Sequence, residues 1–152
     1  MNQAFNLPHP AYPSGWAASL GLRYAPRRGR TAIVERQHFG PLAVQRPFYP
    51  EVNGTCHTYL LHPPAGIVGG DNLALALDLD DDARALVTTP GANRWYYTDH
   101  RPAFMTQIAR LSDGACLEWL PQETLLFNGA DARLNSRIEL NGDARYFGWE
   151  IV

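Results

Sequence analysis

The sequence contains no lysine, and all 13 of its basic side chains are arginine. A lysine Schiff base and a lysine-dependent phosphate loop are therefore excluded. Arginine still supplies planar, bidentate donors at interfaces, which recognise carboxylates and backbone carbonyls. With a net charge of −2 and a pI of about 6.2, the composition does not indicate a nucleic-acid or membrane binder.

Cysteine is also scarce, and the two present, Cys56 and Cys116, lie far apart in the chain. This spacing does not indicate a disulfide framework. The first residues, "MNQAFNLPHPAYPSGW", have neither a basic n-region nor an apolar core, so no signal peptide is predicted. No apolar run approaches the ~18 residues of a membrane span. We therefore expect a soluble protein in a reducing, cytoplasmic setting.

The sequence also lacks a clear helical pattern, and no amphipathic helix of about 10 or more residues is indicated. The length fits one domain with its own core. Residues 1–15 are expected to form a flexible arm and residues 16–152 a β domain. Strands are predicted in five N-terminal segments: "WAASLGLRY", "TAIVERQHFG", "PLAVQRPFYPE", "HTYLLHPP" and "NLALALDL".

The second half of the chain shows internal similarity at a regular spacing. Three segments each contain a strand, a tight Asp/Gly/Asn turn, an alanine and a second strand: "LDLDDDARALVTTP", "IARLSDGACLEWLP" and "IELNGDARYFGWEI". The alanines that align are Ala83, Ala115 and Ala144. A period of roughly 30 residues in short strands indicates an all-β, solenoid or β-helix-like stack with few or no helices. A meandering β-sandwich is the alternative.

The third of these segments reaches the last residues, "FGWEIV", without a capping element. Stacked repeats need a cap at each end, and an uncapped strand leaves unpaired backbone groups. We therefore expect an open strand edge there, in a domain truncated at its C-terminus.

The segment "CHTYLLHPPAGIVGGD" (56–71) collects residues of the types that bind metals. On a straight strand His57 and His62 point to opposite faces, so they cannot chelate one ion together. The segment also lacks the spacing of a closed zinc site. Three interpretations stay open: a permanent metal centre, a weak and transient metal stop, and a stiff turn whose histidines are structural.

Two carboxylates, Glu118 and Glu123, lie in "LEWLPQE" (117–123). A carboxylate pair is what glycosidases use, and β-solenoids carry such sites. A β-solenoid carbohydrate-active enzyme is therefore one alternative function, and a purely structural β module is another. The aromatic and arginine residues of "VQRPFYPE" (44–51) and "RWYY" (94–97) instead fit either interface anchors or strand ends.

Four segments together resemble the urease accessory protein UreD (UreH) family, in the family's order and spacing. They are "GPLAVQRPFYPE", "CHTYLLHPPAGIVGGDNL", "LVTTPGANRWYY" and "LEWLPQETLLFNGADARL". The resemblance runs from about Gly15 to Ile151 and covers the N-terminal half of family members. One departure lies at Arg94–Tyr97, where the family usually has Lys-Phe-Tyr-Arg.

The resemblance implies a mostly β, solenoid-like fold and a maturation factor that is not an enzyme. Family members bind urease apoprotein subunits and, with the partners UreF and UreG, help to deliver nickel to urease in the cytoplasm. The resemblance implies no permanent cofactor, nickel in transit through an internal passage, and no nucleic-acid or membrane partner. Residues predicted for the passage are His57, His62, Asp71 and Glu123. Residues predicted for partner binding are Gln45, Arg46, Phe48, Tyr49, Trp95, Tyr96, Trp119 and Gln122.

Overall fold

The structure is a computed structural model that describes residues 15–64 and 66–152. The predicted flexible arm, residues 1–15, lies outside these ranges apart from Gly15. In the described ranges the chain forms twelve β-strands and no helix, so no helix long and apolar enough to cross a membrane is present there. The all-β prediction is therefore confirmed.

Nearly every predicted strand has a counterpart in the structure. The N-terminal half contains β1 (Ala17–Arg27), β2 (Arg30–Phe39), β3 (Ala43–Val44), β4 (Cys56–Leu61), β5 (Asn72–Leu79) and β6 (Arg84–Thr88). The C-terminal half contains β7 (Asn93–Trp95), β8 (Ala103–Leu111), β9 (Cys116–Leu120), β10 (Thr124–Leu126), β11 (Ala132–Leu140) and β12 (Arg145–Gly148). Only the third predicted strand is much shorter than expected, because Pro47 and Pro50 remove backbone donors from that segment.

These strands form three sheets. The first sheet has the order β11-β8-β5-β1-β2, the second β12-β9-β6-β4-β3, and the third pairs β10 with β7. The runs β5-β6-β7 and β8-β9-β10 each contribute one strand to each sheet in turn, and β11 and β12 extend the first and second sheets. The pairs formed between successive runs are parallel, whereas β1 with β2 and β3 with β4 are antiparallel.

The three similar segments of the sequence lie side by side in register. Ala74 is opposite Thr106 and Ala103 is opposite Ala132, and these two offsets are the ones that separate the aligned alanines. The turns are also bonded to each other, because the Cys116 N–H donates to the Ala83 carbonyl and the Arg145 N–H to the Ala115 carbonyl, both at 2.8 Å. Ala83 and Ala115 are fully buried, which explains the small side chain at that position.

The core lies between the inner faces of the sheets. Strand alternation directs leucines inward from the first sheet, among them Leu20, Leu75 and Leu111. The second sheet contributes Val87 and Leu117, and both cysteines are free thiols. Trp16, the first residue of the predicted strand "WAASLGLRY", lies just before β1 and is 62% exposed.

Candidate functional site

A large cavity of about 260 Å³ lies among the three sheets. Its wall on the first sheet takes Leu20, Leu75, Gln107 and Leu134 from four neighbouring strands. Because neighbouring strands are about 4.8 Å apart, the cavity extends roughly 14 Å across the strands. It therefore runs along the direction in which successive strands pair.

The cavity wall is mainly apolar but carries several polar side chains. On the second-sheet side, the Trp119 Nε1–H donates to Glu150 at 3.2 Å, and both residues line the cavity. Gln107 lines the cavity from β8, where the other alternate positions are alanine, methionine and leucine. Sequence reasoning missed Gln107 and Glu150, although a glutamine at an inward position of a strand was a usable signal.

His62 is the histidine that lines this cavity. It follows β4 directly, and Pro63 and Pro64 turn the chain away after it. Burial lowers the pKa of His62 from its ordinary value, and the nearby Asp71 carboxylate opposes that shift. A lowered pKa keeps the imidazole neutral at neutral pH, which is the form that binds transition metals.

Asp71 is buried, and its carboxylate accepts hydrogen bonds from two backbone N–H groups. Its Oδ1 accepts the Trp16 N–H and its Oδ2 accepts the Val68 N–H, both at 3.0 Å. These bonds fasten the segment before β1 to the loop before β5. Each carboxylate oxygen of Asp71 therefore accepts one structural hydrogen bond.

His57 has a different environment from His62. Its Nε2 is hydrogen-bonded to the Glu51 carboxylate, and this bond is the main cause that lowers the pKa of Glu51. The ring of Phe48 lies 5.3 Å from the His57 ring, and their backbones exchange two hydrogen bonds. His57 therefore forms a small cluster with Glu51 and Phe48.

The four residues predicted for a metal passage are not gathered into one group. Glu123 is exposed, and its carbonyl accepts the Asn93 N–H where β7 approaches β10. Among the described residues, no group of three or more His, Cys, Asp or Glu side chains could hold a metal ion. Of the four, His62 is the one that faces the cavity.

The residues predicted to bind partners fall into two environments. Gln45, Arg46, Gln122, Phe48 and Tyr96 are exposed, while Tyr49 is partly buried beneath the Arg30 guanidinium, 4.2 Å from its ring centre. Trp95 and Trp119 are 1% and 5% exposed and belong to the core. The two tryptophans therefore pack in the core, five of the eight residues are exposed, and Tyr49 is intermediate.

Other exposed aromatic and apolar side chains were not singled out from the sequence. Phe127 stacks on Tyr96 with ring centres 4.9 Å apart, beside exposed Leu126. Phe147 on β12 and Trp149 just after it form an exposed edge-to-face pair. An alternation count around "TLLF" and "YFGW" could have flagged these positions, because apolar residues there occupy both faces of a strand.

Glu118 and Glu123, the carboxylates of the glycosidase alternative, are separated by the fold. Glu118 lines a small pocket on the outer face of the second sheet. Glu123 lies exposed in the connection after β9 and lines neither this pocket nor the large cavity. A glycosidase needs its two carboxylates on either side of one bond, and this arrangement does not provide that.

Comparison with known proteins gives one consistent result. The family described as "UreD urease accessory protein" matches residues 17–152. A urease accessory protein UreD of Saccharophagus degradans is 48% identical over 145 residues, covering 94% of this chain and 49% of the relative. The UreD protein of Pseudomonas entomophila is 46% identical over 152 residues, covering 100% of this chain and 54% of the relative.

The Escherichia coli UreD protein is 46% identical over 138 residues, covering 91% of this chain and 49% of the relative. The chain spans about half the length of the curated relatives it matches. The predicted resemblance is confirmed by the family match and by these relatives, whose identity extends over nearly the whole chain. The chain belongs to the UreD urease accessory protein family.

Proposed function

We propose that this chain acts in the maturation of urease as a binding scaffold and not as an enzyme. The observation that carries the proposal is the family match over residues 17–152, together with relatives named urease accessory proteins. In this proposal the chain binds urease apoprotein subunits and the partners UreF and UreG in the cytoplasm. It holds no permanent cofactor, and nickel is its cargo.

We further propose that nickel moves through the large cavity, whose wall is a solenoid-like stack of strands. Parallel pairing at the offsets of the sequence repeat supports that description of the fold. The cavity crosses four strands of the first sheet and carries one neutral imidazole, His62. A single borderline ligand in a mostly apolar wall favours weak binding, which an ion in transit needs.

Replacing His62 by alanine should weaken the binding of Ni²⁺ to the isolated chain by roughly tenfold, since one imidazole of a weak site is lost. His38→Ala is the matched control, because His38 lies exposed on β2, and it should leave Ni²⁺ affinity within about twofold. Isothermal titration calorimetry at neutral pH measures both. Equal Ni²⁺ affinity in the two variants would remove His62 from the proposed path.

The proposed docking surface lies at the β3 edge of the second sheet. Phe48 is 40% exposed and stacks on Tyr59 with ring centres 5.6 Å apart, which holds its side chain in place. Arg46 and Gln45 are exposed beside it. A rigid aromatic next to an arginine is the composition of an interface hot spot.

Co-expression of the chain with urease apoprotein subunits, UreF and UreG should give a complex that native mass spectrometry detects. Phe48→Ala should reduce the amount of complex by about tenfold, the typical cost of losing a hot-spot aromatic. Phe39→Ala is the control, because Phe39 is 59% exposed on the edge strand of the first sheet. A folded chain that forms no complex in any combination would count against the scaffold proposal. An equal loss of complex in both variants would mean that Phe48 is not part of the docking surface.

A further inference from the structure

The outer face of the second sheet places two arginines on either side of a cysteine. In the strand register Arg84 is opposite Cys116, and Cys116 is opposite Arg145. Residues opposite each other on neighbouring parallel strands project from the same face of the sheet. With strands about 4.8 Å apart, the two arginine Cα atoms are roughly 10 Å apart with the thiol between them.

A pocket of about 110 Å³ is present at this position. Arg84, Cys116 and Arg145 line it, together with Glu118 and the turn residues Asn53 and Thr55. The turn is already ordered, because the Asn53 Oδ1 accepts both the Thr55 N–H and the Thr55 hydroxyl, at 3.0 and 2.8 Å. The wall of the pocket therefore includes an ordered turn and two long cationic side chains.

The guanidinium groups of Arg84 and Arg145 differ from several others in the molecule. Arg23, Arg110 and Arg137 each form an ion pair with a carboxylate. Within residues 15–64 and 66–152, neither Arg84 nor Arg145 forms one, and Glu118 lies beyond ion-pair distance of both although it lines the same pocket. Two guanidiniums and one carboxylate leave the pocket with one formal positive charge.

We propose that this pocket is a binding site for a small oxyanion, a carboxylate or a phosphate, held between Arg84 and Arg145 above the Cys116 thiol. The planar fork of arginine matches the two oxygens of a carboxylate or phosphate. The residual charge favours a monoanionic group, since Glu118 opposes a higher negative charge. This site is separate from the large cavity and does not depend on the proposed role in urease maturation.

The Cys116 thiol lines the pocket, so its rate of alkylation measures the properties of the site directly. Cys116 is partly exposed, whereas Cys56 is 0% exposed and burial raises the pKa of its thiol, so only Cys116 should react with alkylating reagents. Iodoacetate and iodoacetamide are close in size and differ in charge. The ratio of their rates with Cys116 therefore measures how strongly the pocket attracts an anion.

We expect the iodoacetate to iodoacetamide rate ratio, measured by intact mass spectrometry at low salt, to fall at least threefold in the variant Arg84→Gln/Arg145→Gln. The corresponding Arg84→Lys/Arg145→Lys variant keeps both charges and should retain most of the ratio. Arg36→Gln, an exposed change on β2, should leave it unchanged. Cys116→Ser should abolish labelling.

Occupancy by a ligand is tested by protection of Cys116 from iodoacetamide. Inorganic phosphate or acetate should slow labelling saturably, beyond sodium chloride at the same ionic strength, and only when both arginines are present. The anion that protects at lower concentration identifies the chemical class. A rate ratio that does not depend on the arginines, or protection no better than sodium chloride gives, would overturn the proposal.

Discussion

Trp95→Ala is expected to lower the free energy of unfolding by about 3–5 kcal/mol, the largest loss for any single truncation of this core. Trp95 is the largest fully buried side chain, at 1% exposure. Its strand is also fixed on both sides, because Trp95 bridges to Ile67 and its carbonyl accepts the Phe127 N–H at 2.9 Å. The backbone there cannot easily collapse into the space left by the indole.

Trp95→Phe is the informative companion to this truncation. Among the described residues, the indole Nε1–H of Trp95 has no hydrogen-bond partner, and an unsatisfied buried donor costs about 1–3 kcal/mol. Phenylalanine removes that donor while keeping most of the apolar volume, so we expect it to cost only about 1 kcal/mol. Urea unfolding followed by circular dichroism measures both variants.

A loss as large for Trp95→Phe as for Trp95→Ala would contradict this account and would mean that the indole N–H has a partner. A small loss for Trp95→Ala would instead place the side chain at the surface, as expected of a partner-binding residue. Burial and partner binding are therefore separated by one pair of variants. The sequence alone could not make this distinction, because an aromatic followed by two tyrosines fits an interface and a strand end equally well.

Strand positions and the repeat were predictable because each depends on local chemistry. Alternating leucines in "NLALALDL" specify a strand, and β5 spans Asn72–Leu79. The spacing of Ala83, Ala115 and Ala144 also became the pairing register, because a small side chain is required where successive turns meet. Local pattern and tertiary pairing agree there, so the prediction needed no further information.

The candidate site was less predictable because it depends on which side chains share a space. His57 and His62 are near neighbours in the sequence, yet His57 is engaged by Glu51 and His62 lines the cavity. Asp71 has the residue type of a metal ligand, but its two oxygens serve the N–H groups of Trp16 and Val68. The type of a residue shows which ligands it could bind. The packing around it decides whether its polar atoms already have hydrogen-bond partners.

The pocket at Arg84 and Arg145 was not predicted from the sequence. The two arginines are far apart in the chain and belong to the first and the third of the similar segments. Each directly follows an aligned alanine of its segment, as Cys116 does, and the parallel register of β6, β9 and β12 places the three residues side by side. When similar segments pair in parallel, their equivalent side chains lie in a row across the strands. A binding site forms where the side chains in such a row can hold the same ligand.

Gly54→Ala is expected to destabilise the protein by about 3 kcal/mol, and the matched change Gly29→Ala by about 1 kcal/mol. Both glycines have positive φ, +76° at Gly54 and +80° at Gly29, so each substitution strains the backbone to a similar degree. The difference lies in the surroundings. A Cβ at Gly29 meets nothing within 4 Å, whereas at Gly54 it would lie 2.8 Å from the Arg30 Cα and 2.8 Å from the Gly29 carbonyl oxygen.

Those atoms at Gly54 are backbone and cannot rotate away, so the chain itself must move. Movement would also break the 3.0 Å hydrogen bond from the Thr31 N–H to the Gly54 carbonyl, which ties the start of β2 to the segment before β4. Urea unfolding of the two variants under identical conditions gives the comparison, and the shared φ cancels between them. Equal losses would show that the left-handed conformation alone sets the cost, and that the contact between the β1–β2 turn and Gly54 yields without strain. A clearly larger loss in Gly54→Ala would establish that this contact fixes the antiparallel end of the first sheet against the second.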